Sequence, residues 1–204
     1  MNPDHENFCG SPEWAAWLQS EILPAVTAGI DLGKDMLEIG PGPGAATAWL
    51  REHVASLTVL ETDAAAAAAL ATRHRGGNVT VDTGDAAHMP YGNESFDSVG
   101  SFTMLHHVPT AATQYQILSQ AVRVLRPGGT LVGSDSLAST GLHDFHAGDT
   151  YNPVDPATLL VWLRTLGFSP VTLIVGDLLM FAASKPGPAA DDTGHDRDRQ
   201  EAAP

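Results

Sequence analysis

One cysteine, ten basic side chains and no long apolar run are what this 204-residue chain has least of, and each shortage excludes something. Cys9 alone makes no internal disulfide and rules out a zinc cluster built on thiols, which fits a reducing compartment. Ten Lys and Arg against 24 Asp and Glu set a formal charge of −14. The last nineteen residues, with five acids and two arginines, carry −3 of it and leave −11 on the rest. A nucleic-acid backbone is held mainly by Lys and Arg, so basic residues this few and scattered argue against such a partner. Nothing apolar approaches 18 residues, and no charged-then-apolar leader follows Met1. The expectation is a cytoplasmic protein with neither membrane span nor signal peptide.

What is present is enough apolar material, 43%, for one α/β domain with a substantial core. Its organising stretch is Met36-Leu37-Glu38-Ile39-Gly40-Pro41-Gly42-Pro43-Gly44. A short apolar run bounded by Gly and Pro reads as a buried parallel strand. Good helix formers follow Gly44, so the glycines sit on a strand-to-helix turn. Lacking Cβ atoms, such a turn takes positive φ and lets a ligand approach the backbone.

Before that turn, Ser11-Pro12-Glu13 has the form of a helix start, and Trp14, Trp17, Leu18, Ile22 and Val26 recur at helical spacing. After it, residues 57–60 make a second buried strand ending in Glu61, 21 residues beyond Gly40. A Rossmann-type βαβ unit places there a carboxylate that accepts both ribose hydroxyls of a nucleoside. Asp63 caps the alanine-rich helix that follows. Residues 79–81 form a third strand leading to Asp85, which either accepts from an exocyclic amine such as adenine's or closes an Asx turn. Phe96–Phe102 is the fourth strand, with His106 and His107 just past its carboxyl end. There an imidazole is a candidate proton acceptor, or a packing group.

A helix over 110–126 is stopped by Arg126-Pro127-Gly128-Gly129, and 130–134 is the fifth strand. The polar segment 135–152 is long enough to line a substrate pocket. Within it His143, His146 and Asp149 gather possible ligands, but their spacing matches no structural or hydrolytic zinc pattern, so no metal site is expected. Asp155-Pro156 opens a helix ended by Gly167, and Val171–Val175 and Leu178–Ser184 read as a hairpin. From Pro186 the composition is that of a disordered tail.

The ordered series Glu38 with Gly40, Gly42 and Gly44, then Glu61, then Gly84-Asp85-Ala86, then Ser95-Phe96-Asp97, then Leu125-Arg126-Pro127-Gly128-Gly129 resembles the class I S-adenosylmethionine-dependent methyltransferases. The resemblance runs from about residue 35 to 175. It implies a Rossmann-like three-layer αβα sandwich, with a seven-stranded, mostly parallel sheet whose last strand is antiparallel. The implied division is a helical lid segment (1–30), the methyltransferase domain (31–185) and an acidic tail (186–204).

By the same resemblance, the Gly40 to Gly44 backbone lies against the amino-acid end of S-adenosylmethionine, with Glu38 near its ammonium. Glu61, beside Thr62, takes the ribose hydroxyls. Asp85 and Ala86 face the adenine, and Ser101, Phe102 and Thr103 line the reactive side. His106 and His107 are the candidate catalytic bases. The acids suit a cationic ligand without phosphate.

The rivals are an NAD-dependent oxidoreductase and a catalytically silent cofactor-binding module. The first needs G-x-G-x-x-G, where Ala45 stands in place of the last glycine, and Pro41 and Pro43 remove two N–H donors from the turn. The implied reaction is methyl transfer to a small-molecule acceptor, lipid-like or phenolic, by a monomer or homodimer.

Overall fold

The computed structural model describes residues 2–188; the tail expected to be disordered lies, from residue 189 on, outside the described residues. The amino-terminal part is helical: α1 (Pro3–Cys9), α2 (Pro12–Trp17), a π turn (Leu18–Ile22) and α3 (Leu23–Thr27). Ser11 caps α2 by accepting from Trp14 N, as its sequence indicates. The single leading helix expected here is thus broken by the π turn, and α1 precedes it.

The body alternates strand and helix: β1 (Asp35–Ile39), α4 (Ala45–Leu50), β2 (Ser56–Glu61), α5 (Ala64–Arg73), β3 (Val79–Thr83), β4 (Phe96–Phe102), α6 (Ala111–Val124) and β5 (Leu125–Ser136). It closes with α7 (Thr140–Phe145), α8 (Pro156–Thr165), β6 (Val171–Val175) and β7 (Leu178–Ser184). Asp63, Thr110 and Asp155 cap their helices through side-chain oxygens.

All seven strands form one sheet in the order β3-β2-β1-β4-β5-β7-β6. Pairing from β3 through β5 is parallel, and β7 inserts antiparallel between β5 and β6. Helices cover both faces, which is why the central strands are apolar runs instead of alternating ones. Leu37, Val99 and Leu131 pack with α6 and α8 on one face, while Met36, Val59 and Val132 pack with α3, α4 and α5 on the other.

Two boundaries differ from expectation. β5 begins at Leu125, directly after α6, instead of at Thr130, because Leu125 pairs with Phe96 across an irregularity in the β4 ladder. Arg126 then bonds Asp97 at 2.6 Å and Asp35 at 3.0 Å, joining the amino ends of three strands. The segment 135–152 is not an open loop either: Asp135 and Ser136 still belong to β5, and α7 is capped by Ser139.

Phe181 fills the core where β7 enters. It is 1% exposed and pairs with Gly133. A Cβ on Gly133 would lie 2.4 Å from the ring, so the glycine is what admits it. Phe181→Ala is expected to lower unfolding free energy by about 3–5 kcal/mol, read from the urea midpoint at unchanged slope. A loss under about 1 kcal/mol would mean that the ring is not a core element.

Candidate functional site

The strand order reverses between β1 and β4, so the segments leaving their carboxyl ends diverge and open a crevice. On the β1 side the turn runs through Gly40, Gly42 and Gly44 at φ of 59°, 53° and 85°, the left-handed conformation that the glycine spacing required. A Cβ on Gly40 would come within 2.4 Å of Met104 Cγ, so this glycine also gives the β4 side room to approach. Arg73 Nη1 holds the turn from outside through the Pro43 carbonyl at 2.6 Å.

Two buried acids stand under the turn. Glu38, 1% exposed, accepts from Thr47 Oγ1 at 2.6 Å. Burial raises its pKa to about 7; the Thr47 bond opposes the rise and the neighbouring Glu61 charge adds to it. Glu61 closes β2 and accepts from the Gly42 N–H at 3.1 Å and the Asp63 N–H at 2.9 Å. It thus ties the glycine turn to the second strand while keeping free lone pairs.

Asp85 accepts from Ala87 N at 2.8 Å and faces His88 Nδ1 at 3.0 Å. The Asx-type cap foreseen as one option is therefore present, and its mostly exposed carboxylate is held below the usual range by the His88 and Ala87 bonds.

The crevice has a volume of about 440 Å³, and Gly40, Gly42, Glu61, Thr62, Asp85 and Ala86 all line it. A smaller recess of about 70 Å³ adjoins it, bounded by Glu38, Phe102, Thr103, Trp14 and Cys9. Among the described residues no Lys or Arg lines either space. Gly44 sits at the α4 cap behind the turn, and Ser101 is buried behind the wall with its hydroxyl unpartnered among the described residues. Thr103 stands at φ 51°, a strained conformation for a β-branched residue, and its Oγ1 bonds the Phe102 carbonyl.

Of the two histidines expected to act as bases, His107 alone borders the crevice and the recess. Burial, helped by the surrounding imidazoles, lowers its pKa to about 3. His106 does not line the space: it is 2% exposed, with Nδ1 bonded to Asp135 Oδ1 at 2.5 Å.

The group His143, His146 and Asp149 is not assembled as such. His143 points to solvent, and His146 turns inward against His5, His106 and His107. Cys9 carried no signal in the sequence, yet it lines the recess, where burial pushes its thiol up to about 11. The amino-terminal segment packs on α7: Phe8 meets Trp14 at 5.2 Å and Phe145 at 5.6 Å, and Asn2 bonds the Phe145 carbonyl at 2.9 Å, while Cys9 and Trp14 reach the recess.

This sheet order, with a glycine turn and acids at its switch point, defines a Rossmann-like nucleotide-fold protein. Residues 37–133, a little under half of the chain, match the family model described as "Methyltransferase domain". Over these residues the chain is similar to methyltransferases.

It is 36% identical over 105 residues to the phthiotriol/phenolphthiotriol dimycocerosates methyltransferase of Mycobacterium leprae, covering 50% of this chain and 38% of that protein. To methyltransferase GfsG of Streptomyces halstedii it is 30% identical over 121 residues, 56% of this chain and 42% of the other. The matched stretch thus spans less than half the length of these relatives. In fold it resembles phosphoethanolamine N-methyltransferase 2 of Haemonchus contortus, solved with S-adenosyl-L-methionine, at TM-score 0.69 and 16% identity, covering 87% of this chain and 53% of that one.

The raised pKa of Glu38 has a measurable consequence. Below about pH 4.5 the group is protonated folded and unfolded; between there and pH 7 only the unfolded chain ionises, so stability falls as pH rises across that window. Relative to wild type, Glu38→Gln is expected to gain on the order of 2 kcal/mol of stability between pH 5 and pH 8 in urea unfolding. No relative gain would show that Glu38 ionises normally.

Proposed function

We propose that the chain binds S-adenosylmethionine in the crevice and transfers its methyl group to a small-molecule acceptor of lipid-like or phenolic character. The observation that carries this reading is one of charge: a crevice floored by a left-handed glycine turn, with Glu38, Glu61 and Asp85 around it and, among the described residues, no Lys or Arg on its wall. Such a site suits a ligand with an ammonium and a sulfonium and repels a pyrophosphate. Its volume falls in the range of ligand pockets. The names of the relatives support methyl transfer as the reaction.

In this reading the glycine turn and Glu38 hold the amino-acid end, and Glu61 with Thr62 the ribose. Asp85 and Ala86 hold the base, and Phe102 and Thr103 face the reactive side. When bound, the cofactor supplies an electrophilic methyl on sulfur.

The chain's own contribution is to orient and to exclude water: the first thirty residues and the segment around α7 close over the crevice as a lid. Holding two reactants in line is worth about 7 to 11 kcal/mol in well-aligned pairs. His107 is the histidine placed to touch the acceptor, and His106, anchored on Asp135, positions it.

Isothermal calorimetry with S-adenosylmethionine and S-adenosylhomocysteine, with NAD and NADP as controls, tests the cofactor. Micromolar binding of the sulfur nucleosides alone is expected; binding of NAD alone would overturn the reading. Glu61→Ala is expected to weaken that binding at least tenfold while cooperative unfolding is retained, and unchanged affinity would remove Glu61 from the site.

A further inference from the structure

Four histidines from three distant stretches meet beside the crevice: His5 on α1, His106 and His107 in the turn after β4, and His146 at the end of α7. One ring nitrogen of each lies within 4.8 Å of one from every other. Ring centroids stand 4.0 Å apart for His106 and His107, 4.3 Å for His5 and His146, 4.8 Å for His5 and His107, and 5.2 Å for His106 and His146. Tetrahedral ligation at about 2.0–2.1 Å from a zinc ion sets imidazole centroids about 5 Å apart and ligating nitrogens about 3.3 Å apart. The His5–His107 and His106–His146 rings stand at about that spacing and the other two pairs closer, so turning and a small separation of the rings bring the nitrogens in.

The other side of the rings is arranged to match. His106 donates Nδ1–H to Asp135, His146 donates Nδ1–H to the Leu142 carbonyl at 2.6 Å, and His107 donates a ring N–H to the Thr150 carbonyl. An oxygen acceptor on one nitrogen fixes the tautomer and leaves the other with its lone pair, as in ligating histidines generally. That leaves His146 Nε2 buried with no hydrogen-bond partner among the described residues, while His5 Nδ1 faces Asp149. Both residues are 3% exposed.

Packing alone gives His146 Nε2 nothing to bond; a cation gives its lone pair an acceptor. Asp135 behind His106, and Asp149 with Oδ2 3.5 Å from His5 Nδ1, together balance a double positive charge.

We propose that His5, His106, His107 and His146 form a tetrahedral site for a divalent transition-metal ion, zinc foremost, which clasps α1 and α7 to the carboxyl end of β4. A donor set of imidazoles selects zinc, copper, nickel or iron over magnesium and calcium. Four protein ligands close the coordination shell, the form of a structural site. Filling it fixes the lid, because two ligands come from α1 and the end of α7 and two from the turn after β4. This proposal does not depend on which cofactor occupies the crevice.

The test uses the untagged full-length protein, stripped with chelator and titrated with zinc, with metal content read by mass spectrometry and cobalt substitution read by absorption. One zinc per chain, a tetrahedral cobalt spectrum and protection of the first thirty residues from protease on zinc addition are expected. His5→Gln and His146→Gln, in α1 and at the end of α7, are expected to weaken zinc binding at least a hundredfold and abolish that protection, whereas His143→Gln, on the solvent side of α7, leaves them unchanged.

No stoichiometric zinc or cobalt bound by wild type, or equal binding by the His5 and His146 variants, overturns the proposal. S-adenosylhomocysteine affinity measured on the same stripped and loaded samples separates this result from the cofactor question. Intact cofactor binding without a metal site sinks only the clasp.

Discussion

The crevice exists because β1 and β4 are neighbours in a parallel sheet whose connections leave in opposite directions. Their carboxyl ends cannot be covered by a single crossover, so the chain must line the gap with turns. Much else follows from that constraint. The β1 turn must bend sharply under Met104, which requires glycine at position 40, and it must be tied down, which Glu61 does from the next strand through the Gly42 N–H. The crevice lining and the device that holds it in shape are therefore the same few residues.

Those residues also set the charge of the site. A carboxylate as deeply buried as Glu38, with Thr47 as its hydrogen-bond donor, is a poor ion until a cation arrives. With Glu61 close by and no Lys or Arg on the crevice wall among the described residues, acids set the charge of this wall. That separates this fold member from pyrophosphate-binding relatives on the same sheet, whose turn offers N–H donors where this chain has Pro41 and Pro43.

The packing of the amino-terminal segment on α7 differs in kind from the floor. The floor is built from adjacent strands; this packing joins the first ten residues to a segment some 140 positions later, through Phe8 on Phe145 and Asn2 on Asp149. Contacts between such distant stretches leave little trace in local sequence pattern. The same holds for the histidine cluster, whose members lie at positions 5, 106, 107 and 146.

By itself the sequence determined the sheet and its floor. Apolar runs ending in an acid, glycines two apart and Asp63 ahead of an alanine helix are local signals, and local physics fixes their outcome: left-handed turns, buried strands and a capped helix. The position of Glu61, 21 residues past Gly40, carried its place beside the turn because a βαβ unit has a nearly fixed length.

What only the tertiary structure decided are the pairings that local pattern does not encode. β5 starts five residues early because Leu125 finds Phe96. Asp85 closes its own cap. His106 turns away from the crevice to Asp135, while His107 faces it. His146 turns away from His143 toward three imidazoles from elsewhere. In each case the partner is chosen by which surfaces the folded sheet presses together, and burial then decides the protonation and hydrogen bonding that give the side chain its role.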